Sequence, residues 1–137
     1  MPYQNEWLVP NAVILTRFLG ETTKEEMIAS GNRTVAMIDS CDTQWVHIIV
    51  DSSAATSSPS LPATISTARA TPVHARAGWV CTVGGQNGIV KLAMGVAREL
   101  MNLRAQSFNS IDEAIVYLKR VDETIDWSQA RMELVSS

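Results

Sequence analysis

Two short apolar runs restrict the possible folds of this chain more than any other feature. Val46-His47-Ile48-Ile49-Val50 is mostly β-branched and almost uniformly apolar. A strand with one wet face alternates apolar and polar residues; a run without alternation is expected of a strand covered on both faces, in a parallel or mixed sheet. Asp51 marks its polar exit. Gly78-Trp79-Val80-Cys81-Thr82-Val83 repeats the character, followed by Gly84-Gly85-Gln86-Asn87-Gly88 and an apolar helical stretch from Ile89 to Met101. This second run predicts a strand, turn and helix unit, and the pair predicts the α/β class.

The flanking segments fill in that frame. Glu6 to Val9 and Ala12 to Leu19 are β-rich runs separated by Pro10-Asn11, a turn-type break that predicts an antiparallel hairpin. Thr22-Thr23-Lys24-Glu25-Glu26 offers two overlapping capping boxes, after which Met27, Gly31, Val35 and Ile38 share one helical face, with Gly31-Asn32 the weak point. Leu103 to Phe108 predicts a short strand. Ser110-Ile111-Asp112-Glu113 is a further capping box, opening a helix that carries Ala114, Ile115, Leu118 and Val121 on one side.

One domain is expected over residues 1–122, with 123–137 as a tail or short helix; 137 residues suffice for one substantial core and not for two. A net charge of −3 with scattered Lys and Arg excludes a phosphate-tracking stripe, so no nucleic-acid partner is expected. No apolar run approaches the ~20 residues of a membrane span, and the first residues lack the pattern of a signal peptide, so the expectation is a cytoplasmic protein. Cys41 and Cys81 read as reduced thiols without a Cys-x-x-Cys spacing. Two histidines, His47 in an apolar strand and His74 in a loop, do not make a metal set, and no cofactor is predicted.

Catalysis is not predicted either. The chain has no Gly-x-Ser-x-Gly elbow, and the acids Asp112 and Glu113 suit the first turn of a helix, where its dipole favours negative charge. Gly84, Gly85 and Asn87 precede a helix and could present N–H groups to an anion, although the segment lacks a phosphate-loop ending; a structural turn is the stronger reading. Ser52 to Pro72 is the least ordinary segment, fifteen of its twenty-one residues being Ser, Thr or Ala. Ser60 is placed to cap a helix beginning at Leu61-Pro62. Trp127, beyond the predicted body, is a candidate interface anchor.

Taken in order, Glu6-Trp7-Leu8-Val9, Val46-His47-Ile48-Ile49-Val50-Asp51, Gly78-Trp79-Val80-Cys81-Thr82-Val83-Gly84 and Phe108-Asn109-Ser110-Ile111-Asp112-Glu113-Ala114 resemble the STAS and anti-sigma-factor-antagonist superfamily, in its small bacterial branch related to Sec14-type domains. The resemblance implies a mixed sheet of about five strands, an antiparallel hairpin followed by parallel strands, flanked by about four helices. It implies a non-enzymatic regulatory module whose partner is a kinase, an anti-sigma-type regulator or a second copy in a homodimer. The family's switch is a Ser in an Asp-Ser-Ser-Gly pattern at the start of the second helix. Asp51-Ser52-Ser53-Ala54 has similar letters at the strand end, while the usual offset points to Ser57, Ser58 or Ser60. The alternative from the Sec14 kinship is a carrier of a small apolar ligand, a lipid or metabolite.

Overall fold

The computed structural model describes residues 3–21, 23–53, 62, 66, 70, 74–84, 99 and 104–135. Five strands form one sheet in sequence order: β1 (Tyr3–Val9), β2 (Val13–Phe18), β3 (Val46–Asp51), β4 (Ala77–Val83) and β5 (Arg104–Phe108). β1 and β2 are antiparallel, and every later neighbour is parallel. The mixed α/β sheet expected from the apolar runs is therefore present. Two whole α-helices lie among the described residues, α1 (Lys24–Asp39) and α2 (Ile111–Val121), rather than about four. The two other predicted helices fall mostly outside the described residues; Pro62, Ser66, Ala70 and Glu99 are each helical.

Local chemistry explains the boundaries. Asn11 sits in the left-handed region at φ 62° after Pro10, and the Ala12 amide closes the hairpin turn on the Val9 carbonyl at 3.0 Å. Proline presets the first turn position and asparagine tolerates the second. Of the two overlapping capping boxes, Thr23 and Glu26 form the one that starts α1: the Glu26 amide donates to Thr23 Oγ1, and the Thr23 amide donates to Glu26 Oε1. α1 runs unbroken through Gly31. At α2 the expected box is altered. Ser110 accepts from the Glu113 amide, but Glu113 reaches one residue further back and takes the Asn109 amide at 2.9 Å.

The sheet separates two cores. On one face α2 lays Ile111, Ala114, Ile115 and Leu118 over Leu15, Ile49 and Cys81, with Ile125 from the tail. On the other face α1 brings Ile38 onto Ile14, Val46 and Ile48. This two-sided covering is why β3 has no polar alternation. Polar groups also hold α1 down. Asn5 Nδ2 donates to Thr16 Oγ1 and Thr34 Oγ1, Ser30 Oγ donates to Asn5 Oδ1, and Thr34 Oγ1 donates to the Ser30 carbonyl. Ser30 and Thr34 thus replace part of the apolar stripe expected from Met27, Gly31 and Val35. The far end of α1 has no basic residue of its own, and Arg76 supplies that charge from the loop before β4, donating to the Ile38 and Thr43 carbonyls at 2.8 Å each.

Residues 123–135 fold back on the body as two single 3-10 turns, Trp127–Gln129 and Met132–Leu134. Trp127, Ala130, Leu134 and Val135 pack against the α2-side core. The irregular register of β1 between Trp7 and Val9 leaves Leu8 without an opposite residue, and its carbonyl accepts from the Arg131 amide at 2.7 Å. The tail therefore completes a bulge that the hairpin leaves open.

Candidate functional site

The parallel register aligns Arg17 on β2, Asp51 on β3, Val83 on β4 and Phe108 on β5 in one row. This row is the carboxyl rim of the sheet, the edge beyond which open α/β sheets bind their ligands. Asp51 is its polar centre. Its Oδ1 accepts from the Ser53 amide at 2.9 Å and from Ser53 Oγ at 2.6 Å, and its Oδ2 lies 3.5 Å from Arg17 Nε. An Asp that bonds the backbone two residues ahead bends the chain sharply, which is how β3 turns out of the sheet.

The next two residues are fixed by β4. The Ser52 amide donates to the Val83 carbonyl at 2.9 Å, and Gly84 follows with φ +85°. A Cβ on Gly84 would lie 2.7 Å from the Ser53 nitrogen and 3.0 Å from Ser53 Cα. Only glycine combines that backbone angle with so close an approach. Four of the residues singled out in the sequence, Asp51, Ser52, Ser53 and Gly84, are thus brought together where two adjacent strands end. Gly84 acts there as a packing residue against Ser53. Ser53 is solvent-exposed, and its hydroxyl is engaged with Asp51.

α1 starts at the same rim, where Lys24 Nζ donates to Ser66 Oγ at 2.7 Å. One step inside the rim, the hydroxyls of Thr82 and Ser107, paired across β4 and β5, are 3.0 Å apart. Ser57, Ser58, Ser60, Gly85 and Asn87 lie outside the described residues. Trp127 is not at the rim: its ring packs on the α2-side core under the Lys119 ammonium, 5.6 Å from the ring centre, and its buried Nε1 has no acceptor among the described residues.

Both histidines sit at the opposite, amino edge. His47 is the second residue of β3, four positions before Asp51, roughly 13 Å along a strand. His74 precedes β4; its Nδ1 accepts from the Arg76 amide and its Nε2 donates to Asp39 Oδ1 at 2.6 Å. Asp51 therefore has Ser and Arg for neighbours, and the imidazoles have partners of their own. Among the described residues no three His, Cys, Asp or Glu side chains converge as a metal site, and no helix is long and apolar enough to cross a membrane.

Reasoning from the sequence missed Arg17 as the counter-charge of Asp51, because the pair is joined only by the β2–β3 register. It also missed Arg131 and the tail bulge. The signal for Arg17 was faint but present: a cation inside an otherwise apolar strand needs a partner when that strand is covered. Compared with protein-family models, with curated proteins and with solved structures, the chain matches none.

Proposed function

We propose that this chain is a cytosolic, non-enzymatic regulatory or protein-interaction module of the STAS-like type, working through the carboxyl rim and the Ser-rich segment that leaves it. The observation that carries this reading is the separation of groups. Serines and a carboxylate occupy the rim, while both imidazoles are committed at the far edge. A hydrolytic nucleophile needs a base within hydrogen-bond reach, and Ser53 has instead a carboxylate already held by Arg17. What the rim offers is a firm polar surface: Asp51, Ser53 and Gly84 fix the point at which the segment holding Ser57, Ser58 and Ser60 departs. The strand order and the hairpin followed by parallel strands support the STAS-like reading.

A phosphate on Ser57, Ser58 or Ser60 would add ~1.5 to 2 negative charges to the segment that follows Ser53 in the chain and so change a partner's affinity. Affinity capture from the native cell, with Ser60→Asp and Ser60→Ala compared at matched thermal stability, tests this. A protein whose recovery differs between the two variants supports the switch. Failure to recover any specific protein, together with a lipid or metabolite retained in native mass spectrometry, overturns it in favour of the carrier.

A further inference from the structure

His47 occupies an unusual position between β3 and β4. Val46 faces Ala77 and Ile48 faces Val80, so two residues of β4, Gly78 and Trp79, stand opposite the single His47. The extra residue makes a bulge, and the His47 ring reaches into it: the Trp79 amide donates to His47 Nδ1 at 2.9 Å. A Cβ at Gly78 would lie 2.4 Å from that same Nδ1, so glycine is required beneath the ring. On its other side His47 Nε2 is 2.7 Å from Asp122 Oδ2, and Asp122 is the residue that ends α2.

These contacts fix the tautomer. A backbone amide only donates, so Nδ1 carries a lone pair and the ring proton is on Nε2, donated to Asp122. A second proton has one place to go, Nδ1, where it would face the Trp79 N–H. The charged ring and the Trp79 hydrogen bond therefore exclude each other. Trp79 is in turn packed edge-on against Tyr117 of α2, with ring centres 5.1 Å apart. The imidazole thus bears on α2 at two points, through Asp122 at its end and through Trp79 and Tyr117 at its middle.

We propose that His47 is a protonation-sensitive latch that couples the β3–β4 bulge to the seating of α2 on the sheet. Among the described residues its hydrogen-bond partners and close neighbours are these. Asp122 is the charged partner from α2, the Trp79 amide and Gly78 face it from β4, and from the hairpin the Ala12 carbonyl takes His47's own amide at 2.9 Å. Protonation removes the acceptor of Trp79, shifts that residue, and disturbs the Trp79–Tyr117 contact, while the tie to Asp122 persists. This inference does not depend on the function proposed for the rim.

The test is a pH titration of the full chain labelled with 15N, observed by long-range 1H–15N correlation of the histidine rings. At neutral pH the His47 pattern is expected to be that of the Nε2–H tautomer. On acidification the His47 ring, the Trp79 amide and the Tyr117 ring signals should move with one midpoint, and the protection of the Trp79 amide, taken relative to the intrinsic exchange rate at each pH, should fall roughly tenfold once its acceptor is lost. Gly78→Ala should displace the ring at neutral pH and reproduce those shifts, whereas His74→Gln should leave the transition intact. An Nδ1–H tautomer, a Trp79 amide that stays unmoved while His47 titrates, or a His47 that takes up no proton before the protein unfolds would each overturn the latch.

Discussion

Replacing Gly84 by Ala tests whether the carboxyl rim is as tightly built as its geometry implies. The added methyl meets two separable costs. The first is conformational, since an L-residue at φ +85° is held in the left-handed region at about 1 to 2 kcal/mol. The second is steric, because the Cβ would stand 2.7 Å from the Ser53 nitrogen and 3.1 Å from the Ser52 carbonyl carbon, backbone atoms that cannot swing aside. Relief must come from moving the ends of β3 and β4 apart, which stretches the Ser52-to-Val83 bond and costs about 1 to 3 kcal/mol more, as overpacking does. Gly20→Ala is the internal control: its φ is +63° and its Cβ would find no atom of the described residues within 4 Å, so it bears the first cost alone. Urea denaturation of the two variants isolates the contact. With a slope of about 2 kcal/mol per molar, Gly84→Ala should unfold about 0.5 to 1.5 M earlier than Gly20→Ala. Equal midpoints would mean that the close approach of Gly84 to Ser53 is not rigid, and the rim would lose its claim to be a preformed surface.

Asn5→Ala should cost about 2 to 3 kcal/mol in the same assay, because it strands Thr16, Ser30 and Thr34 beneath α1 without their common partner. Asp122 predicts an acid limb. Burial raises its pKa, but hydrogen bonds from the Thr124 side chain, His47 and the Thr124 amide, with the charge effect of His47, outweigh that and hold it below the usual carboxylate range. A folded value below the unfolded one of about 3.9 contributes stability that is whole above that pH and is lost as pH falls through the folded value. Asp122→Asn should therefore flatten thermal stability measured below about pH 4. Cys81 behaves oppositely, burial pushing its thiol up to about 12. The folded value exceeds the unfolded value of about 8.5, so its contribution is whole below that pH and fades as pH rises toward the folded value. A thiol reagent at neutral pH should leave Cys81 unlabelled in the native protein and label it promptly in denaturant; rapid native labelling would contradict its burial.

Most of the secondary structure was legible because it is written in local patterns. The lack of alternation in Val46 to Val50, the Pro10-Asn11 break and the Thr23 and Ser110 caps each act within a few residues, and the strands and α-helices stand where these signals put them. Asp51, Ser52, Ser53 and Gly84 were also visible, as polar or turn residues at two strand ends. That they form one site depends on β3 and β4 lying side by side in parallel register, a long-range pairing that no local pattern encodes. The same holds for Arg17 against Asp51, Arg131 on the Leu8 bulge and the polar group around Asn5, where partners 11 to 34 or more than 100 residues apart meet only after the sheet has formed. His47 shows the division most clearly. Its sequence neighbourhood places it in a buried strand, and a buried imidazole must be hydrogen-bonded. Only the tertiary structure, by setting a bulged β4 on one side and the end of α2 on the other, decides which nitrogen carries the proton and what the ring controls.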